Sequence, residues 1–167
     1  EEKSTDYDKV MEIFIRTNTG GQKLEYSDIL LSTATAKWKN LNAREEIHSF
    51  TDEINKIGPS YTFGKDFVMK GSMYLTEDLP IQYKLSSFTQ TNLECIEEHW
   101  EDTKTAIRSA IELVSRFGFN DKNLVTKLAI LPIAQYLRNK DSKKYIESSK
   151  SEDVMDQNNI QKWLIII

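Results

Sequence analysis

Between Asn92 and Phe117 the positions Leu93, Ile96, Trp100, Thr103, Ile107, Ala110, Val114 and Phe117 alternate by three and four residues without a slip. This spacing lines them along one side of an α-helix as a heptad seam, which neighbouring helices must cover. At about 1.5 Å per residue such a helix reaches on the order of 40 Å. The seam therefore predicts a long central helix over 92–117 as the spine of an all-α fold. Gly118 supplies the stop, and Asn120 or Asp121 can cap the next helix.

Other segments carry the same periodicity. Tyr7, Val10, Met11 and Phe14 form one apolar stripe, with Thr5 or Asp6 as N-cap. Gly20 closes that helix, and Leu24 to Leu31 begins another. Asn40 or Asn42 can cap a helix that buries Ile47, Phe50, Ile54 and Ile57 and ends at Gly58-Pro59. After a turn over 60–64, residues 65–75 carry Phe67, Val68, Met69, Met73, Tyr74 and Leu75, apolar all round, which predicts a central helix despite Gly71. Residues 76–90, with Pro80, read as a connection, and 82–85 as a brief extended piece. Pro132 falls within an apolar run over 124–137 and predicts a kink or break, because a proline inside a helix costs about 3 kcal/mol. Residues 142–159 are polar, anchored only by Tyr145, Ile146, Val154 and Met155, and read as a mobile connection. Together these features predict one helical domain over 1–167, a single irregular bundle of about six to eight helices around the spine.

Composition narrows the function classes. With 39% hydrophobic residues in 167, the chain can bury one real core. A net charge of -4 provides no overall field to gather nucleic acid, so any such contact needs a local patch. Cys95 is the only cysteine and cannot form an internal disulfide, which fits a reducing cytoplasm. No apolar run approaches the roughly 20 residues that span a bilayer, so no membrane association is expected.

The run Phe14-x-Arg16-x-Asn18-x-Gly20-Gly21-x-x-Leu24-x-x-x-Asp28-x-Leu30-Leu31-Ser32 resembles the signature of the GmrSD-type restriction endonuclease N-terminal domain family. Lys65-Asp66-Phe67-Val68-Met69-Lys70 is similar to that family's next helix start. The stretch from Phe88 to Phe117 around Trp100, and those from Leu128 to Tyr136 and from Ile160 to Leu164, resemble its later helices. The resemblance covers most of the chain. It implies the C-terminal helical part of a larger domain, whose upstream ParB-like α/β portion carries an Asp-Gly-Gln-Gln-Arg string that does not occur here. The five apolar residues from Trp163 to Ile167 likewise read as a cut through a helix. By resemblance Arg16, Asn18, Gly20 and Gly21 lie near a nucleotide, while Phe14, Leu24 and Asp28 hold the motif together. The implied parent hydrolyses a nucleoside triphosphate with a divalent metal and works with a nuclease domain or subunit on modified DNA. The implied partner of this part is the upstream nucleotide-binding portion, and the part itself holds no cofactor.

Residue by residue, plainer readings stand beside those roles. Glu12 precedes Arg16 by four, the spacing of a helical ion pair, and Asn18 can cap the helix end; alternatively Arg16 turns its planar guanidinium toward a phosphate. Gly20-Gly21 beside Lys23 could cradle an anion or simply form a turn, and Asp28 weighs against the anion. Gly58 to Lys65 is not a Walker loop, because the glycine spacing is wrong and Asp66 stands where a hydroxyl must bind magnesium. Glu94, Glu97, Glu98, His99, Glu101 and Asp102 crowd one helix start, but Ile96 and Trp100 set the buried side and leave most of them in solvent. His48 and Asp52 read as a surface pair. The basic cluster Arg138, Lys140, Lys143, Lys144 and Lys150 is diluted by Asp141, Glu147, Glu152 and Asp153. No residue is assigned as catalytic and none as a metal ligand. A protein-interaction module is the alternative function, with Trp163 to Ile167 as its contact surface.

Overall fold

A computed structural model describes Ile13 and residues 25–58, 61–77, 79 and 83–167. Among the described residues there are eight α-helices, two short 3-10 turns and no strand. The helices are α1 (Tyr26–Lys37), α2 (Ala43–Ile54), α3 (Lys65–Leu75), α4 (Gln90–Glu98), α5 (Trp100–Arg116), α6 (Ile130–Arg138), α7 (Ser142–Ile146) and α8 (Ser151–Ile166). Of the helix expected over 7–14 only Ile13, helical and exposed, is described, and the Gly20 turn lies outside the described residues.

The seam is buried as its spacing requires. Leu93, Ile96, Trp100, Thr103, Ile107, Ala110 and Val114 are all in the core, and Phe117 packs against it partly buried. The spine is not one helix, however. It divides at His99, whose backbone sits at φ -98 and ψ 13 between α4 and α5. The imidazole Nδ1 lies 2.9 Å from the Cys95 carbonyl, the same oxygen that accepts the His99 amide at 3.2 Å. The imidazole thus shares that carbonyl with the backbone ladder at the residue where the two helices meet.

α5 packs most extensively on α6 and also meets α2, α3, α4 and α7. Ile111, Leu113 and Ala106 are buried beside the seam, so α5 is covered on more than the side its heptads mark. Trp100 is the largest fully buried side chain, edge-on to Trp38 and Phe50 at centroid distances of 5.5 and 5.8 Å. Its indole N–H is not stranded there, since it donates to Glu46 at 2.7 Å. Gly71 of α3 permits a close approach to α5 and α6: a Cβ there would meet Ile107 Cδ1 at 2.8 Å and Leu131 Cδ2 at 3.1 Å.

The predicted α3 forms with its expected boundaries, whereas α2 ends at Ile54, short of Gly58, and Ile57 lies beyond it, partly buried. Asn42 caps α2, its side chain accepting from the amides of Arg44 and Glu45, and Gly58 adopts φ 67 just beyond it. Leu85 opens a 3-10 turn over Leu85–Ser87 instead of the expected extended piece. Residues 121–126 form turns and irregular backbone rather than a helix, with Asn120 accepting from the Lys122 amide at 2.9 Å and the Asp121 carboxylate engaged by Thr62 and Lys127. The helix starts at Ile130, so Pro132 lies in the first turn, where a missing N–H breaks no bond. Residues 142–159, read above as a mobile connection, are mostly α7 and α8. No helix among the described residues is long and apolar enough to cross a membrane.

Candidate functional site

Of the residues that the motif marks, Asp28 is described, while Phe14, Arg16, Asn18, Gly20, Gly21 and Leu24 lie outside the described residues. Asp28 sits in the first turn of α1 and completes a capping box. The Glu25 amide donates to its carboxylate at 3.0 Å, and the Glu25 side chain accepts from the Asp28 amide. This satisfies two N–H groups that a helix start leaves open. Lys65, the first residue of α3, reaches the same carboxylate at 2.9 Å and Glu25 at 3.6 Å.

The electrostatics follow from those contacts. The hydrogen bond from Lys65 holds the Asp28 carboxyl below the usual carboxylate range against the opposing effect of burial, and the more distant Arg44 charge helps. The same bond holds the Lys65 ammonium above its ordinary value. Next to this node, the Tyr26 hydroxyl accepts from the Leu85 amide at 2.5 Å. The Tyr26 ring meets Tyr83 edge-on at 6.0 Å, and Lys70 stands 5.1 Å over the Tyr83 ring while paired with Asp66 at 2.7 Å. Burial pushes the Tyr83 phenol far up, so it stays protonated. The node joins α1, α3 and the connection before α4; its charges serve one another and the backbone.

The acidic crowd at the spine resolves into separate structural tasks. Glu97, by contrast with the exposed Glu98, Glu101 and Asp102, is buried. Its carboxylate accepts from the amides of Lys39, Asn40 and Leu41 at 3.0, 2.6 and 2.7 Å. Burial works against ionisation of Glu97, but the three amides outweigh it and hold the carboxyl below the usual range. Those amides lie in the link between α1 and α2, which has no acceptor of its own there, a need that no helical spacing announces. Glu94 pairs with Lys39 at 2.5 Å, and Glu101 with Lys104 at 2.7 Å. Among the described residues no group of three or more His, Cys, Asp or Glu side chains could hold a metal ion.

Two further constellations look reactive in outline. Cys95 Sγ lies 3.8 Å from His99 Nδ1. That nitrogen also faces the Cys95 carbonyl at 2.9 Å. A carbonyl only accepts, so Nδ1 carries a proton and cannot take one from the thiol. The Thr62 hydroxyl donates to Asp121 at 2.6 Å, and Lys127 reaches Asp121, the Thr62 hydroxyl and the Thr62 carbonyl, each at 2.8 Å. Lys127 and Thr62 hold the Asp121 carboxyl at about 2, far too weak a base to activate a hydroxyl at neutral pH. This trio fastens the loop before α3 to the turn after α5. Sequence spacing offers no hint of it, since Thr62 lies 59 residues from Asp121 and 65 from Lys127. His48 and Asp52 are both exposed.

The basic cluster is scattered. Arg138 donates to the Leu75 carbonyl at the end of α3 and faces Glu77 at 3.5 Å. Lys140 lies 4.5 and 4.4 Å from the ring centres of Tyr136 and Tyr145 and 3.5 Å from Asp156. Lys144 and Lys150 line a cavity of about 240 Å³ with Lys140, but Asp141 and Asp153 share it. Lys143 lines another of about 280 Å³, with Arg116 balanced by Glu112 and Glu147. An apolar hollow of about 250 Å³ lies between Pro132, Ile133 and Tyr136 of α6 and Asn159, Ile160 and Trp163 of α8. No family model matches the chain, and no curated protein matches it.

Proposed function

We propose that this chain is the helical scaffold of a protein resembling a nucleotide-dependent modified-DNA restriction or phage-defence protein. The observation that carries this reading is the Asp28–Lys65 pair at 2.9 Å. It closes the end of the Phe14 to Ser32 stretch onto the start of the Lys65 to Lys70 stretch, the two segments in which the resemblance is concentrated. A scaffold that transmits movement needs such a joint between its receiving unit and its core. In this reading Arg16, Asn18, Gly20 and Gly21 face a nucleotide-binding portion of the same protein, which holds the nucleoside triphosphate and its divalent metal. A fused or partner nuclease acts on DNA in the cytoplasm. The carboxylates of Asp28 and Glu97 are fully engaged with amides and lysine, which suits support rather than chemistry.

The test is nucleotide binding and turnover by the intact gene product with Arg16→Ala. Loss of at least about tenfold in affinity is expected for a guanidinium that contacts phosphate. Unchanged affinity and turnover remove Arg16 from the site. A second reading, a helical protein-interaction module without catalysis, is favoured by one observation: Trp163, Ile165, Ile166 and Ile167 all remain exposed at one helix end. The sequence of the intact gene separates the two. An Asp-Gly-Gln-Gln-Arg string upstream supports the first, and its absence without a neighbouring nuclease supports the second.

A further inference from the structure

We propose that α8 is a releasable strap, clasped to the bundle through Asp156 and able to lift as a unit while the rest stays folded. The inference is independent of the scaffold reading. It begins with what holds α8 down. Of its 16 residues only Leu164 is buried, with Ile160 partly so. Val154, Met155, Trp163, Ile165 and Ile166 are exposed. Little apolar burial therefore binds this helix to its neighbours.

Polar groups do most of the holding, and they converge on one carboxylate. Asp156 accepts from the Tyr136 hydroxyl of α6 at 2.5 Å and from the Tyr145 hydroxyl of α7 at 2.6 Å. Lys140, between those helices, stands 3.5 Å from the same oxygen and lies against both tyrosine rings. The rings meet edge-on at 6.4 Å. Gln157 adds a bond to the Tyr145 carbonyl at 2.7 Å, and Gln161 a long one to the Phe117 carbonyl at 3.4 Å. Removing Asp156 therefore unfastens α8 from three groups at once, and these groups continue to pack on one another.

Release has a definite structural end. A helix of this length is marginal in water once detached, and Ser151, Asn158, Asn159 and three isoleucines do not favour it alone. Lifting α8 would melt it and bare Pro132, Ile133 and Tyr136 of α6, which now share a hollow with Ile160 and Trp163. Exposure of that strip is the switchable output of the device.

Hydrogen-deuterium exchange of the full chain, read by peptide mass at fixed pH, tests this. The amides of α8 should exchange at least about a hundredfold faster than those of α5, because local opening does not wait for global unfolding. Asp156→Asn should raise the α8 rates about tenfold more and leave α5 unchanged; Leu164→Ala should act in the same place. Protection of α5 in the same sample reports that the bundle is still folded. Equal rates in the two helices, an unchanged α8 rate in Asp156→Asn, or a rise shared equally by both helices overturns the proposal.

Discussion

α5 and α8 are nearly equal in length, 17 and 16 residues, yet nine side chains of α5 are buried and only Leu164 of α8. Both contain ample isoleucine and both hold a tryptophan, so hydrophobic content does not separate them. Arrangement does. In α5 the apolar residues recur on one side and can be covered by several neighbours at once. In α8 they are spread around the helix, and no single neighbour can cover them, so docking falls to hydrogen bonds. A hydrogen bond exchanged for one with water contributes about 1 kcal/mol net, whereas filling the site of a buried aromatic contributes several.

That difference can be put to the test, beginning where the effect is largest. Trp100→Ala should cost about 4 kcal/mol, as truncation of a sealed aromatic leaves a cavity as well as losing its burial. Calorimetry should then find the midpoint lower by on the order of 10 °C. A loss below about 1 kcal/mol would break the comparison on the α5 side.

Glu97→Gln should cost about 2 kcal/mol at neutral pH, since an amide oxygen replaces a buried carboxylate that serves three backbone N–H groups. It also predicts a pH signature. The folded value of Glu97 lies below its ordinary 4.5, so its contribution is complete above that value and is lost as pH falls through the lower folded one. Thermal melts between about pH 5 and 3 should fall less steeply in Glu97→Gln than in the parent chain. Identical slopes would show that the three amides do not depend on the charge.

At the small end, Met155→Gln in α8 should change global stability by no more than about 0.5 kcal/mol, because this side chain is already largely in solvent. Urea unfolding followed by circular dichroism would show it. A larger loss would mean that the outer side of α8 is covered in solution.

Much of the architecture was legible wherever burial and period coincide. The seam from Leu93 to Val114, the Asn42 cap and the 65–75 helix all follow from side-chain spacing, since that spacing decides which residues can share a face. The break at His99 was not, because the apolar seam runs through that residue without a slip and carries no mark of it. The helical character of α8 was hidden by its polarity, as its anchors Tyr136 and Tyr145 lie on other elements. At the candidate site, Asp28 was marked as a motif-holding residue, but its partner Lys65 is far along the chain and no spacing rule links them. Glu97 could not be told from its solvated neighbours by spacing, although it flanks the seam, because the amides it serves belong to a link between two other helices. Contacts set by a local repeat can be read along a line of residues; contacts that satisfy stray polar groups require the fold first.

The three tryptophans occupy three different surroundings. Trp100 is sealed and bonded to Glu46, Trp38 is nearly sealed against it, and Trp163 is 40% exposed at the far end of α8. Dissolved iodide can collide with the last indole but not with the first two. Emission from the unlabelled chain therefore divides into a quenchable red component and a shielded blue one, and each half of the molecule carries its own optical gauge.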